Sequence, residues 1–142
     1  MDKRTKAREL TLQALYQLDI RGNEAFETLN SFFIEDEKDI GIRKLAGDWT
    51  KGTWEHLQQC DEFITESTIK WDFARLSYVD RSILRLSVYQ LKYCLDVPPK
   101  VVINEAIELA KKFGTERSPA FVNGVLDAVM KKMTPGISLG AT

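Results

Sequence analysis

One histidine and two cysteines are all that this 142-residue chain offers to metal, thiol or imidazole chemistry. Cys60 and Cys94 lie in separate helical patterns without a Cys-x-x-Cys spacing, so they read as buried free thiols of a reducing compartment. A zinc site is excluded by the same shortage. His56 has no companion nucleophile in its pattern and is expected at a core edge or on the surface. No GxxxxGK[ST] or GxGxxG loop is present to cradle phosphates. Glu105 and Glu108 share a helix face, as solvated pairs commonly do, and receive no acid–base role. The chain therefore reads as a non-enzyme without a cofactor or metal. No stretch approaches the ~20 apolar residues of a membrane span. No apolar run follows the basic start, as a signal peptide would require, so the cytoplasm is the default.

What is there suits a soluble globular domain: 44% hydrophobic and 29% charged residues, in a chain long enough for a real core. The net charge of −1 hides a polarity. Residues 1–8 carry Lys3, Arg4, Lys6 and Arg8 against Asp2 alone, whereas residues 9–39 carry eight acids against two bases. Such a division suggests a localised electrostatic footprint, although solvated helix faces look similar.

Helical periodicity dominates. The first helix is expected over Lys3 to Ile20, with Ala7, Leu10, Thr11, Ala14, Leu15 and Leu18 on its core stripe. Leu12, Tyr16 and Ile20 make a second apolar line, which is either sandwiched inside the fold or offered to a partner. A short helix over Glu24 to Ile34 follows, then an acidic turn from Glu35 to Asp39. A long helical segment is expected between Ile40 and Ile69, in which Gly47 and Gly52 permit close packing or mark a kink. Trp71 to Ser77 reads as a connector. Tyr78 to Leu95 has an apolar arc so wide, including Val79 and Leu95, that it belongs at the centre of the fold.

Asp96 to Pro99 breaks the pattern. Two further helices then read clearly, one carrying Val102, Ile103, Ala106, Ile107, Ala110 and Phe113, the other Val122, Val125, Leu126, Val129, Met130 and Met133. Gly114 stops the first as a left-handed C′ residue would. Ser118 and Pro119 start the second as hydroxyl cap and first-turn proline. No strand alternation is found, so the fold class is all-α, with about seven helices. One domain covers 1–142, with a frayed tail after 134.

Two features point to RNA. The four cations at the start of the first helix suit a phosphate backbone. Phe121 lies about a quarter-turn from its helix's core stripe, as either a core rim or a stacking platform. Arg117 and Asn123 would add a guanidinium and a base-edge amide.

The run KVVINEAIELAKKFG followed by FVNGVLDAV strongly resembles the NusB family of transcription antitermination factors. The resemblance extends to WDFARLSYVDRSILRLSVYQL and to KARELTLQALY near the N-terminus. It implies two packed helical subdomains, about 1–70 and 71–134, in a protein that binds single-stranded boxA RNA together with NusE, a small ribosomal protein. The resulting complex makes RNA polymerase resist termination on ribosomal RNA operons. By this resemblance Arg4, Lys6, Arg8 and Phe121 belong to the RNA surface, with Lys3, Arg117 and Asn123 beside them. Tyr16 and Asp80, with Leu12 alongside, belong to the NusE side. Arg117 and Pro119 depart from the family pattern, where an acid commonly stands at the former.

Two other functions fit parts of the pattern. NusB-like domains also precede the catalytic domain of some ribosomal RNA cytosine methyltransferases, and a helical bundle can bind proteins without RNA. Leu12, Tyr16 and Ile20 would serve a homodimer as well as NusE.

Overall fold

The computed structural model describes residues 2–68 and 76–133, and every regular element among them is helical. Seven α-helices follow in order: α1 Lys3–Arg21, α2 Phe26–Asp36, α3 Ile40–Glu55, α4 Leu57–Ser67, α5 Tyr78–Tyr93, α6 Pro99–Phe113 and α7 Ser118–Met133. A 3₁₀ turn, Gly22–Ala25, joins α1 to α2. The connector proposed from Trp71 lies mostly outside the described residues, as do Ile69, the subdomain boundary near 70 and the tail from Thr134.

Local chemistry sets the starts. Asp2 caps α1, its carboxylate accepting from the Arg4 amide at 2.7 Å. Asp39 caps α3 by accepting from the amides of Gly41 at 2.8 Å and Ile42 at 3.2 Å. Ser77 caps α5 through the Asp80 amide at 3.0 Å. Side-chain oxygens thus take up amides left without intrahelical acceptors. Gly22 ends α1 at φ 74°, where a side chain would be strained.

The helix α5 is the centre. It packs against α1, α3, α4, α6 and α7, and Ser82 through Val88 are all buried. Burying each Ile, Leu or Val contributes roughly 1.5–3 kcal/mol. Leu84, fully enclosed, should cost about 2–5 kcal/mol on truncation to Ala. The expected core stripes of α1, α6 and α7 face inward, with Ile107, Phe113 and Met133 partly covered at the edges.

Four expectations are corrected, and one open alternative, at Gly52, is decided. The long segment from Ile40 is two helices, broken at His56, whose ψ of 23° departs from helical geometry. Gly52 serves close packing, because a Cβ there would collide with the Tyr89 ring and hydroxyl. Leu95 falls beyond α5 and is 84% exposed, so it is no part of the central arc. At the α6–α7 corner, Gly114 is extended (φ −91°) rather than left-handed. Its hydrogen is needed because a Cβ would press within 2.6 Å of Ser118 Cβ and 2.8 Å of the Ala110 carbonyl. The buried Ser118 hydroxyl accepts from the Thr115 amide at 2.9 Å, locking the corner instead of capping α7.

Candidate nucleic-acid and partner interfaces

The two ends of α1 present different chemistry. At its start, Lys3, Arg4 and Lys6 hold exposed ammonium and guanidinium heads, and each has an acidic neighbour from elsewhere in the chain. Lys3 pairs with Asp39 at 3.1 Å, Arg4 with Asp96 at 3.3 Å, and Lys6 with Glu37 at 3.4 Å. Hydrogen bonding from Lys3, then from the Ile42 amide, holds the Asp39 carboxyl below its usual range. The Asp39 amide, with Lys6 assisting, does the same for Glu37.

Arg8 departs from its expected role. Its side chain is 3% exposed, lies 5.1 Å over the Trp49 ring, and donates from Nε to Gln90 Oε1 at 3.4 Å. Glu105 stands 3.8 Å from its Nη1. Falling on the inward side of α1 beside Ala7 and Thr11, Arg8 is enclosed between helices instead of exposing its charge at the surface. Direct contact by Leu12 with a partner is likewise corrected: at 3% exposure it lies in the core, since α1 is enclosed by both α3 and α5.

Ion pairs and hydrogen bonds lay the start of α1 along α6. Thr5 Oγ1 donates to Glu105 at 3.0 Å, and Lys112 Nζ to Glu9 at 2.8 Å. Past the end of α6, Arg117 and Asn123 are exposed and Phe121 is half-buried, packed on the core at its inner side. The 15 residues of α6 span about 22 Å at 1.5 Å per residue. A ligand touching both Arg4 and Phe121 must therefore run beside α6.

At the other end of α1, Tyr16 (39% exposed) and Ile20 (51%) face solvent. Tyr16 meets Tyr78 edge-on at 5.9 Å. Beneath them lies a bridge of alternating charge that sequence reading missed. Arg81 donates to Asp19 at 2.8 Å, Arg85 reaches Asp19 at 3.2 Å, and Arg85 also holds Asp61 in a forked pair at 2.8 and 2.9 Å. Arg81 also stands 5.0 Å over the Tyr78 ring, so the bridge orients the aromatic patch. Asp80, one residue earlier, keeps a buried Oδ1 without a hydrogen-bond partner. It sits in the first turn of α5, where the helix dipole favours a carboxylate.

His56 stacks 4.0 Å from the Tyr93 ring with Nδ1 2.8 Å from the Gly52 carbonyl, a structural placement. Among the described residues no group of side chains has metal-ligand arrangement, and no helix is long and apolar enough to cross a membrane. Both cysteines are free; burial pushes the Cys60 thiol up to about 12.

The sequence profile of the NusB family matches residues 5–131. This chain belongs to the NusB family. The family is one of non-enzymatic regulators, and similarity runs the length of the domain. The transcription antitermination protein NusB of Syntrophus aciditrophicus is 41% identical over 133 residues, covering 94% of this chain and 83% of that protein. The T. maritima NusB structure superposes with a TM-score of 0.83 at 37% identity, covering 93% and 92% of the two chains. A chain from a crystal structure of antitermination factors NusB and NusE in complex with dsRNA gives a TM-score of 0.83 at 30% identity, covering 93% and 98%.

Proposed function

We propose that this NusB-family chain is a two-sided adaptor in transcription antitermination. It binds single-stranded boxA-type RNA and a NusE-type ribosomal protein at once, helping RNA polymerase resist termination on ribosomal RNA operons in the cytoplasm. The observation that carries the reading is α1 itself. Its first turns display Lys3, Arg4 and Lys6, while Tyr16 and Ile20 form an apolar patch further along the same helix. Residues 4 and 16 are separated by about 18 Å along a straight helix, so two ligands can sit on one rigid rod.

In this reading the exposed cations exchange their carboxylate partners for phosphates, and Phe121 stacks on an unpaired base beside Arg117 and Asn123. Tyr16 and Tyr78 anchor the protein partner, and a donor from it satisfies Asp80. Binding of each ligand pre-pays ordering for the other, so the ternary complex is tighter than either pair. A relative's structure that unites NusB and NusE with dsRNA supports the pairing of a NusE-type protein with a nucleic acid.

Fluorescence anisotropy with a labelled boxA-like single strand, with and without NusE and across a salt series, tests this. NusE should tighten RNA binding, and a duplex of the same sequence should bind more weakly than the single strand. Saturable NusE binding with no RNA signal at any salt concentration would reduce the chain to a protein-interaction bundle.

A further inference from the structure

A groove of about 830 Å³ opens between α2 and α3, on neither of the surfaces assigned above. Leu29 and Phe33 of α2 make a buried floor. Phe26 and Ile40 stand at the margins, 37% and 73% exposed. Trp54 forms one wall and is held in place: its Nε1 donates to Asn23 Oδ1 at 2.8 Å, and its ring meets Phe26 edge-on at 6.4 Å. Single exposed apolar residues need no explanation, but a rigid concave set of them does. Gly47 lines the groove, and a Cβ there would meet the Phe33 ring at an ordinary contact distance of 3.9 Å, so a side chain could be added without strain.

Charge selects the occupant. Among the described residues of the lining, every charged side chain comes from α3. Lys44 pairs with Asp48 at 3.0 Å and Lys51 with Glu55 at 4.0 Å, each along the helix. Arg43 is left over, and its Nε is shielded from solvent without a hydrogen-bond partner. The guanidinium has no ionic partner among the described residues, and a carboxylate is the acceptor that best meets it. Between Ile40 and Trp54 the groove follows about four turns of α3, the length over which a helix presents anchors at i, i+4 and i+7.

We propose that this groove docks an acidic amphipathic helix from a partner protein, with apolar anchors over Leu29 and Phe33 and a carboxylate on Arg43. The chain then has a third docking surface, independent of RNA and of the Tyr16 patch.

The test is selection of displayed helical peptides of about four turns against the full chain, with Gly47→Leu as counter-target. The added side chain fills the groove while improving helix propensity. Selection should enrich peptides with apolar residues at helical spacing and flanking Asp or Glu, and Gly47→Leu should not retain them. The best peptide, labelled and titrated by anisotropy, should bind about tenfold more weakly to Ile40→Glu and to Arg43→Gln. Both changes lie at the groove margin and should leave circular dichroism and RNA binding unchanged. No enrichment, enrichment of neutral or basic peptides, or equal binding to Ile40→Glu would overturn the proposal. Concentration-dependent dimerisation in sedimentation that Ile40→Glu abolishes would assign the groove to a second copy and overturn it too.

Discussion

The two ends of α1 hold charge in opposite ways. At the start, the heads of Lys3, Arg4 and Lys6 stay in solvent, 76%, 48% and 48% exposed, where an ion pair contributes about 0–1 kcal/mol and salt screens it. At the end, Asp19 is 10% exposed between Arg81 and Arg85, which are 13% and 8% exposed. Charges so enclosed persist only when paired, and losing one partner costs far more than the pair contributes. One end is built to exchange its partners and the other to keep them. That difference suits a polyanion that displaces carboxylates at one end, and a protein that needs a fixed aromatic patch at the other.

The largest test of this contrast is Asp19→Ala. It removes the carboxylate that Arg81 and Arg85 share, while Arg85 keeps its fork on Asp61, and should cost about 3 kcal/mol of stability, read as a lower urea midpoint at unchanged slope. It should also weaken NusE binding, because Arg81 no longer steadies Tyr78. A loss under about 0.5 kcal/mol would place this network with ordinary surface pairs.

Arg8→Ala comes next and divides the first two turns of α1 within themselves. Gln90 would lose its buried donor and Glu105 its ion-pair partner, so stability should fall by about 2 kcal/mol. The dependence of RNA affinity on salt should keep its wild-type slope, since removing a cation that pairs with a phosphate lowers that slope by about one. A shallower slope for Arg8→Ala would mean that its guanidinium leaves the Trp49 face to meet RNA.

Tyr16→Ala and Phe121→Ala sharpen the division between ligands. The first should weaken NusE binding by about 2 kcal/mol, as loss of a central aromatic anchor does, while RNA binding alone stays intact. The second should weaken RNA binding by about 1–2 kcal/mol equally at low and high salt, as loss of a stacked base does. Crossed effects, with Tyr16 acting on RNA alone or Phe121 on NusE, would end the two-sided reading.

Helix number, the core stripes and the central place of α5 were legible because apolar periodicity reports burial directly. The readings that failed concern residues whose roles depend on a second element. Arg8 lies beside Lys6 in sequence, yet a turn of about 100° per residue brings it under Trp49 and Gln90, contributed by α3 and α5. Leu12 belongs to a line with Tyr16 and Ile20 by spacing, and only the flanking helices decide where along that line burial stops. Gly114 looked like a left-handed stop because that is the commonest use of such a glycine; the space taken by Ser118 is tertiary. Asp19 and Asp61 gave no local signal, since their partners lie 62 and 24 residues away. The acidic run after residue 9 did carry information, for it supplies Glu37 and Asp39, which sit on the cations that precede it.

Those acids make the smallest prediction, and the one that bears most directly on the exchange of partners. Glu37 and Asp39 titrate below their usual ranges in the folded protein. A depressed carboxyl stabilises the fold above its unfolded pKa, and that contribution disappears as pH falls through the folded value. Neither group should therefore change its pairing, or the affinity for RNA, between neutral pH and about pH 5. Substitution can do what pH cannot. Asp39 is a poor choice because it also caps α3, but Asp96 caps nothing and its side chain is 70% exposed. Asp96→Asn should leave stability within about 0.5 kcal/mol and tighten RNA binding by about two- to fivefold at low salt, because Arg4 no longer has a competing anion. The gain should fade as salt screens the original pair. If Asp96→Asn leaves the low-salt affinity untouched, Arg4 does not meet phosphate, and the RNA path must leave α1 before its first turn.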